Sequence, residues 1–153
     1  DQNRIIYVIT QAEIAIKAKQ IGQAVKILAD ALLNHPNNQA ITVLYAKTLL
    51  LNDNPDTAYD IIRRQIDNGH EHAELYKMLA SSAKKTGRLG EAYESLAEYH
   101  YVLGHNSLAL EHLETAISFE KDQPNRRIRL NTRVKQIQQE ILANRQKPEP
   151  DTH

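Results

Sequence analysis

The chain has 153 residues, with 19 basic and 19 acidic side chains and a formal net charge of zero. That length suits one domain, neutrality excludes a whole-chain polyanion-binding signature, and the lack of cysteine removes disulfides, thiolate metal sites and cysteine nucleophiles together. Only five Gly and five Pro are present, one Phe and no Trp, so a loop-rich sandwich is excluded and aliphatic side chains must build the core.

In chain order, the apolar spacing predicts a helix over about 4–20 and a second over about 22–34, stopped by His35-Pro36-Asn37-Asn38. A third helix is expected over 39–52. Asn54 then reads as an N-cap with Pro55 at the first helical position of a fourth helix, which runs to about Asp67 and ends at Asn68-Gly69. A fifth spans about 71–86, with Gly87 as its stop, and a sixth spans 89–103, ending at Gly104. The seventh covers about 107–119. After Lys121-Asp122-Gln123-Pro124 a last helix is expected over 125–146, and the tail 147–153 reads as disordered. No apolar run approaches the roughly 18 residues needed to span a membrane. The opening Asp1-Gln2-Asn3-Arg4 has neither Met nor a basic-then-apolar leader, so the chain reads as a piece of a longer protein.

The helices repeat. Ala12, Ala46 and Ala80 are 34 residues apart, and so are Ala24, Ala58 and Ala92. Leu28, Ile62 and Leu96 follow the second set by four residues. Small residues let helices cross closely, and aliphatics one turn away fill the seam. A 34-residue period of this kind resembles the tetratricopeptide repeat. The resemblance implies an all-α superhelix of antiparallel helix pairs, a single domain over 1–146 with repeats at about 5–38, 39–72, 73–103 and 89–119 and a capping helix at 125–146. The overlap arises because Ala109, Leu113 and Ala116 restate the second-helix pattern only 17 residues after Ala92, so the helix at 89–103 would serve twice.

Chemistry-bearing patterns are sparse. His70-Glu71-His72 is not a His-Glu-x-x-His motif, because position 74 is Glu rather than the second His, and with no Cys available the segment reads as a solvated turn rather than a site with the three or four convergent ligands zinc needs. His105 and His112 have no carboxylate pair and read as surface histidines. No Gly-x-Ser-x-Gly, phosphate-binding loop or dinucleotide fingerprint occurs. Neither catalysis nor a cofactor or metal is expected. In the repeat frame, the first helices aim Ile9, Glu13 and Ile16 into an inner groove, followed by Val43, Lys47 and Leu50, then by Lys77, Ser81 and Lys84. The groove would thus pass from apolar to basic and suit a peptide with apolar anchors and an acidic end. The aliphatics of the first repeat could equally pack against a preceding repeat.

Residues 124–147 carry seven basic side chains against Glu140 alone, among them Arg126, Arg127, Arg129 and Arg133. Such a helix can bind an acidic surface, yet residues 71–123 hold nine acidic side chains against five basic ones, so docking within the chain is the preferred reading. No aromatic lies between 124 and 153, which argues against base stacking and nucleic acid.

A narrower likeness rests on Leu75-Tyr76-Lys77-Met78-Leu79-Ala80, on Leu96-Ala97-Glu98-Tyr99-His100-Tyr101-Val102-Leu103-Gly104, and on the Arg-rich last helix. Residues 39–146 resemble the C-terminal repeat domain of periplasmic zinc metalloproteases of the barrel-assembly-enhancing type. This resemblance implies a periplasmic location, protein partners in the outer-membrane β-barrel assembly machinery and its substrates, and a parent with a His-Glu-x-x-His domain. That motif is absent from this chain. The alternative is a free-standing repeat adaptor in another pathway.

Overall fold

A computed structural model describes residues 2–145. Eight helices follow one another: α1 (Gln2–Lys17), α2 (Ile21–Asn34), α3 (Gln39–Leu51), α4 (Pro55–Asp67), α5 (Ala73–Lys85), α6 (Leu89–Val102), α7 (Asn106–Phe119) and α8 (Pro124–Arg145). No strand occurs among the described residues. Each helix packs on the next, and α1, α3 and α5 also touch one another in turn, which is the stacking of an α-α solenoid. The expected tail at 147–153 and the last residue of the expected capping helix lie outside the described residues.

The small residues sit where the period places them. Ala12, Ala24, Ala46, Ala58, Ala80 and Ala92 are all buried at the crossings. Three clusters fill the layers between them. Ala12, Leu28, Ala31 and Ile41 join α1 to α3. Ala46, Ile62, Leu75 and Leu79 join α3 to α5. Leu113, Leu130 and Ile137 hold α6, α7 and α8. The hydroxyls that fall in these seams bond back to their own helix: Thr48 donates to the Leu44 carbonyl at 2.7 Å and Ser82 to that of Met78 at 3.0 Å.

The turn from α1 to α2 recurs with the same geometry 34 and 68 residues later. Lys19, Asp53 and Gly87 all take positive φ, at 60°, 55° and 77°. The amide after each bonds five residues back, Gln20 to Ala15 at 2.9 Å, Asn54 to Leu49 at 2.9 Å and Arg88 to Ala83 at 2.8 Å. Only Gly87 has the residue type this conformation favours. One expectation needs correcting here. Asn54 does not cap α4 with its side chain; its Oδ1 accepts from Asn52 Nδ2 at 2.8 Å instead, leaving Pro55 to start the helix. The side-chain cap occurs at α3, where Asn38 Oδ1 accepts from the Ile41 amide at 3.0 Å.

Helix starts at Gln39, Ala73 and Asn106, and at Ile21, Pro55, Leu89 and Pro124, continue the alternation to the end. This spacing also divides the chain into four pairs without overlap: α1–α2, α3–α4, α5–α6 and α7–α8. In that frame Leu130 follows Leu28, Ile62 and Leu96 at the same repeat position, and Arg126 falls where Ala24, Ala58 and Ala92 stand.

Candidate protein-interaction groove and basic helix

The nine groove residues differ in how far they are exposed. Ile9 packs against the cluster of Ala12 and Leu28, while Val43 and Leu50 pack against that of Ala46 and Leu49, so these anchors are half-buried in the solenoid itself. Ile16 is also half-buried and Glu13 is exposed. Lys47 lies 3.9 Å from Glu74 on α5, an exposed pair that partly neutralises the middle of the groove.

Lys77, Ser81 and Lys84 come together. They stand on one face of α5 and line a cleft of about 320 Å³ whose other wall is Leu89, Tyr93 and Leu96 of α6. The spacing of four and three residues along α5 puts all three on adjacent turns. Lys77 Nζ is 6.0 Å from the centre of the Tyr99 ring. Among the described residues Lys77 and Lys84 form no ion pair, whereas Lys85 reaches Asp53 at 3.6 Å. First-helix positions alone do not reveal the α6 wall; the signal for it in the sequence is Leu89, Tyr93 and Leu96 at helical spacing.

The Arg-rich helix is tied down. Arg126 reaches Glu91 at 3.1 Å, Glu94 at 3.0 Å and Glu120 at 3.2 Å. Its Nε is buried and close to Glu120 but not aligned for a hydrogen bond, so that contact is a charge pair alone. Arg129 donates to both oxygens of Glu94, one of them at 2.9 Å. Arg133 forms a two-pronged pair with Glu98, both bonds 2.8 Å, and lies 4.2 Å over the Tyr101 ring. The Tyr101 hydroxyl donates to Glu140 at 2.7 Å. Arg127 is exposed.

Titration follows these contacts. Burial opposes ionisation of Glu94, but Arg129 and Arg126 outweigh it and hold the carboxyl below its usual range. The Tyr59 hydroxyl is pushed up to about 12 by burial and by donating to Glu91. Gly90 makes room for this network: a Cβ there would meet Glu120 Oε1 at 2.1 Å.

Of the two histidines expected at the surface, His105 is exposed but His112 is not. His112 is half-buried, with its ring 5.1 Å from that of His100, which in turn lies 5.8 Å from His105. Burial and the neighbouring imidazoles push His100 down. Among the described residues no group of His, Asp and Glu is arranged to hold a metal ion. No helix there is long and apolar enough to cross a membrane.

The period, the buried alanines and the alternating helix pairs are now joined by a family comparison. Residues 15–83 match the tetratricopeptide repeat. The fold is an all-α solenoid of the tetratricopeptide type, and repeats of this type are non-catalytic surfaces for protein partners. The matched span covers α2, α3 and α4 with parts of α1 and α5. No curated protein matches the chain.

Proposed function

We propose that this tetratricopeptide-type domain recruits a protein segment that places an apolar side chain in the α5–α6 cleft and an acidic group on Lys77 and Lys84. The observation that carries the reading is the convergence of two lysines, without ion pairs among the described residues, and Ser81 with Leu89, Tyr93 and Leu96 around one cavity. An apolar anchor gains from leaving water, and the rim charges select its sign. The test is a titration with short acidic peptides ending in Leu or Phe, followed by amide shifts. Binding should fall at least tenfold in Lys77→Glu and Lys84→Glu, with melting unchanged. Equal binding by both variants rejects this site.

The resemblance of residues 39–146 supports a narrower reading. In it, the domain lies in the periplasm and holds β-barrel substrates or their assembly machinery beside a zinc metalloprotease site elsewhere in the parent. Purified chain should then retain barrel-assembly components, and the reading frame upstream should encode His-Glu-x-x-His. An upstream frame without that motif favours a free-standing adaptor. Nucleic-acid binding by α8 is disfavoured, because Arg126, Arg129 and Arg133 are spent on Glu91, Glu94, Glu98 and Glu120.

A further inference from the structure

On α6, Leu89, Tyr93 and Leu96 wall the lysine cleft, and the same helical spacing continues to His100. The apolar stripe therefore ends on an imidazole. The His100 ring centre lies 5.1 Å from that of His112 on α7 and 5.8 Å from that of His105, in the turn between the two helices. Two aromatic rings join this group to the cleft. The Tyr93 ring, part of the cleft wall, is 6.0 Å from that of His112. The Tyr99 ring is 5.0 Å from that of His100 and 6.0 Å from Lys77 Nζ. Lys77 thus stands at the histidine end of the cleft.

Among the described residues none of these three histidines is paired with a carboxylate. Glu74, one turn before Lys77 on α5, pairs with Lys47, and Glu98 on α6 pairs with Arg133 on α8. Glu111 precedes His112 on α7 and is exposed. His100 Nδ1 is buried and has no hydrogen-bond partner among the described residues. Burial and the two neighbouring imidazoles push His100 down, so the free groove resists its protonation. An anion laid along the stripe reverses that balance, because an opposite charge favours the imidazolium.

We infer that an acidic peptide in the α5–α6 cleft continues along α6 to His100 and His112 and is held more tightly in acid, as those imidazoles gain protons. This pH dependence rests on the cleft taking an acidic peptide at all. The sign follows from linkage. The bound anion raises the imidazole values, so the complex takes up protons, and affinity rises as pH falls between the bound and the free values. Aspartate side chains of the peptide remain ionised down to about pH 5.5, so their own titration does not cancel the effect.

The probe is an end-blocked peptide with a Leu anchor followed by a run of Asp, titrated by calorimetry at about pH 8 and about pH 5.5, on either side of the ordinary histidine range. Circular dichroism checks helicity at both values. The parent chain should bind about fivefold or more tightly at the lower pH, the scale of one imidazole shifted by most of a unit. In His100→Gln and His112→Gln that ratio should fall toward one. Replacing the Asp run by Asn should also flatten it. In the parent chain, the imidazole resonances of His100 and His112 should titrate at higher pH once the probe is bound, a readout that needs no variant. Equal affinity at both pH values overturns the inference and leaves the cleft reading standing. Tightening that persists undiminished in both histidine variants overturns it as well. Absence of binding at either pH rejects the cleft reading and this extension together.

Discussion

At one repeat position α2, α4 and α6 carry Ala24, Ala58 and Ala92, all buried, while α8 carries Arg126. In the first half of the molecule, second helices meet their neighbours through small and aliphatic side chains, and the interface can be restated by the next pair. At the far end the same position extends a guanidinium to three carboxylates from α6 and the end of α7. The contrast shows two ways to fill one geometrical slot. An aliphatic seam is non-directional and stabilises in proportion to area. The arginine seam fixes α8 in one register and keeps its remaining surface wet, which suits a terminal helix.

The aliphatic side of this contrast is broken most directly by Ile62→Ala. Ile62 is fully buried, and its removal should cost about 2–5 kcal/mol in denaturant unfolding. On the charged side, Arg126→Ala leaves Glu120 without an ion pair, and Glu91 and Glu94 with Tyr59 and Arg129 alone, and should cost about 3 kcal/mol. A loss near zero would show that α8 is held by Leu130 and Ile137 alone.

The same network predicts a pH signature. Glu94 is held below its ordinary value of 4.5, so its contribution is complete above that pH and is lost as pH falls from 4.5 through the folded value. Melts of Glu94→Gln should be flatter over that acid range. His100 is held below 6.5, so the unfolded chain takes up its proton first, and stability falls as pH drops below 6.5. His100→Gln should remove that separate, higher step.

Smaller effects sharpen the comparison. Gly90→Ala should cost about 1–3 kcal/mol by pushing Glu120 off Arg126. In Glu120→Ala the same change should cost much less, and a double-mutant cycle measures the difference. Lys19→Gly should stabilise the chain by about 1 kcal/mol, because Lys19 holds a left-handed conformation at φ 60° that a side chain disfavours. No gain in melting temperature would mean the first turn is less tightly imposed than its counterpart at Gly87.

Much of the fold was legible because a 34-residue period acts on every pair at once, and the alanines mark where helices must approach. The groove was less so. Lys77, Ser81 and Lys84 followed from helix spacing, but Val43, Leu50 and Ile9 fit a groove and a core equally well from sequence. Which of these a side chain joins depends on how far the next pair rotates, and a linear pattern does not carry that angle.

By itself the sequence determined eight helices, their order and the small residues at their crossings, since these follow from local periodicity and capping. It also held the charge imbalance between residues 71–123 and the last helix. Only the tertiary structure decided which arginine meets which glutamate, that Gly90 clears space for Glu120, and that Leu89, Tyr93 and Leu96 complete the lysine cleft. These partners lie mostly some 30 or more residues apart along the chain, and their meeting depends on the angle at which rigid helices stack.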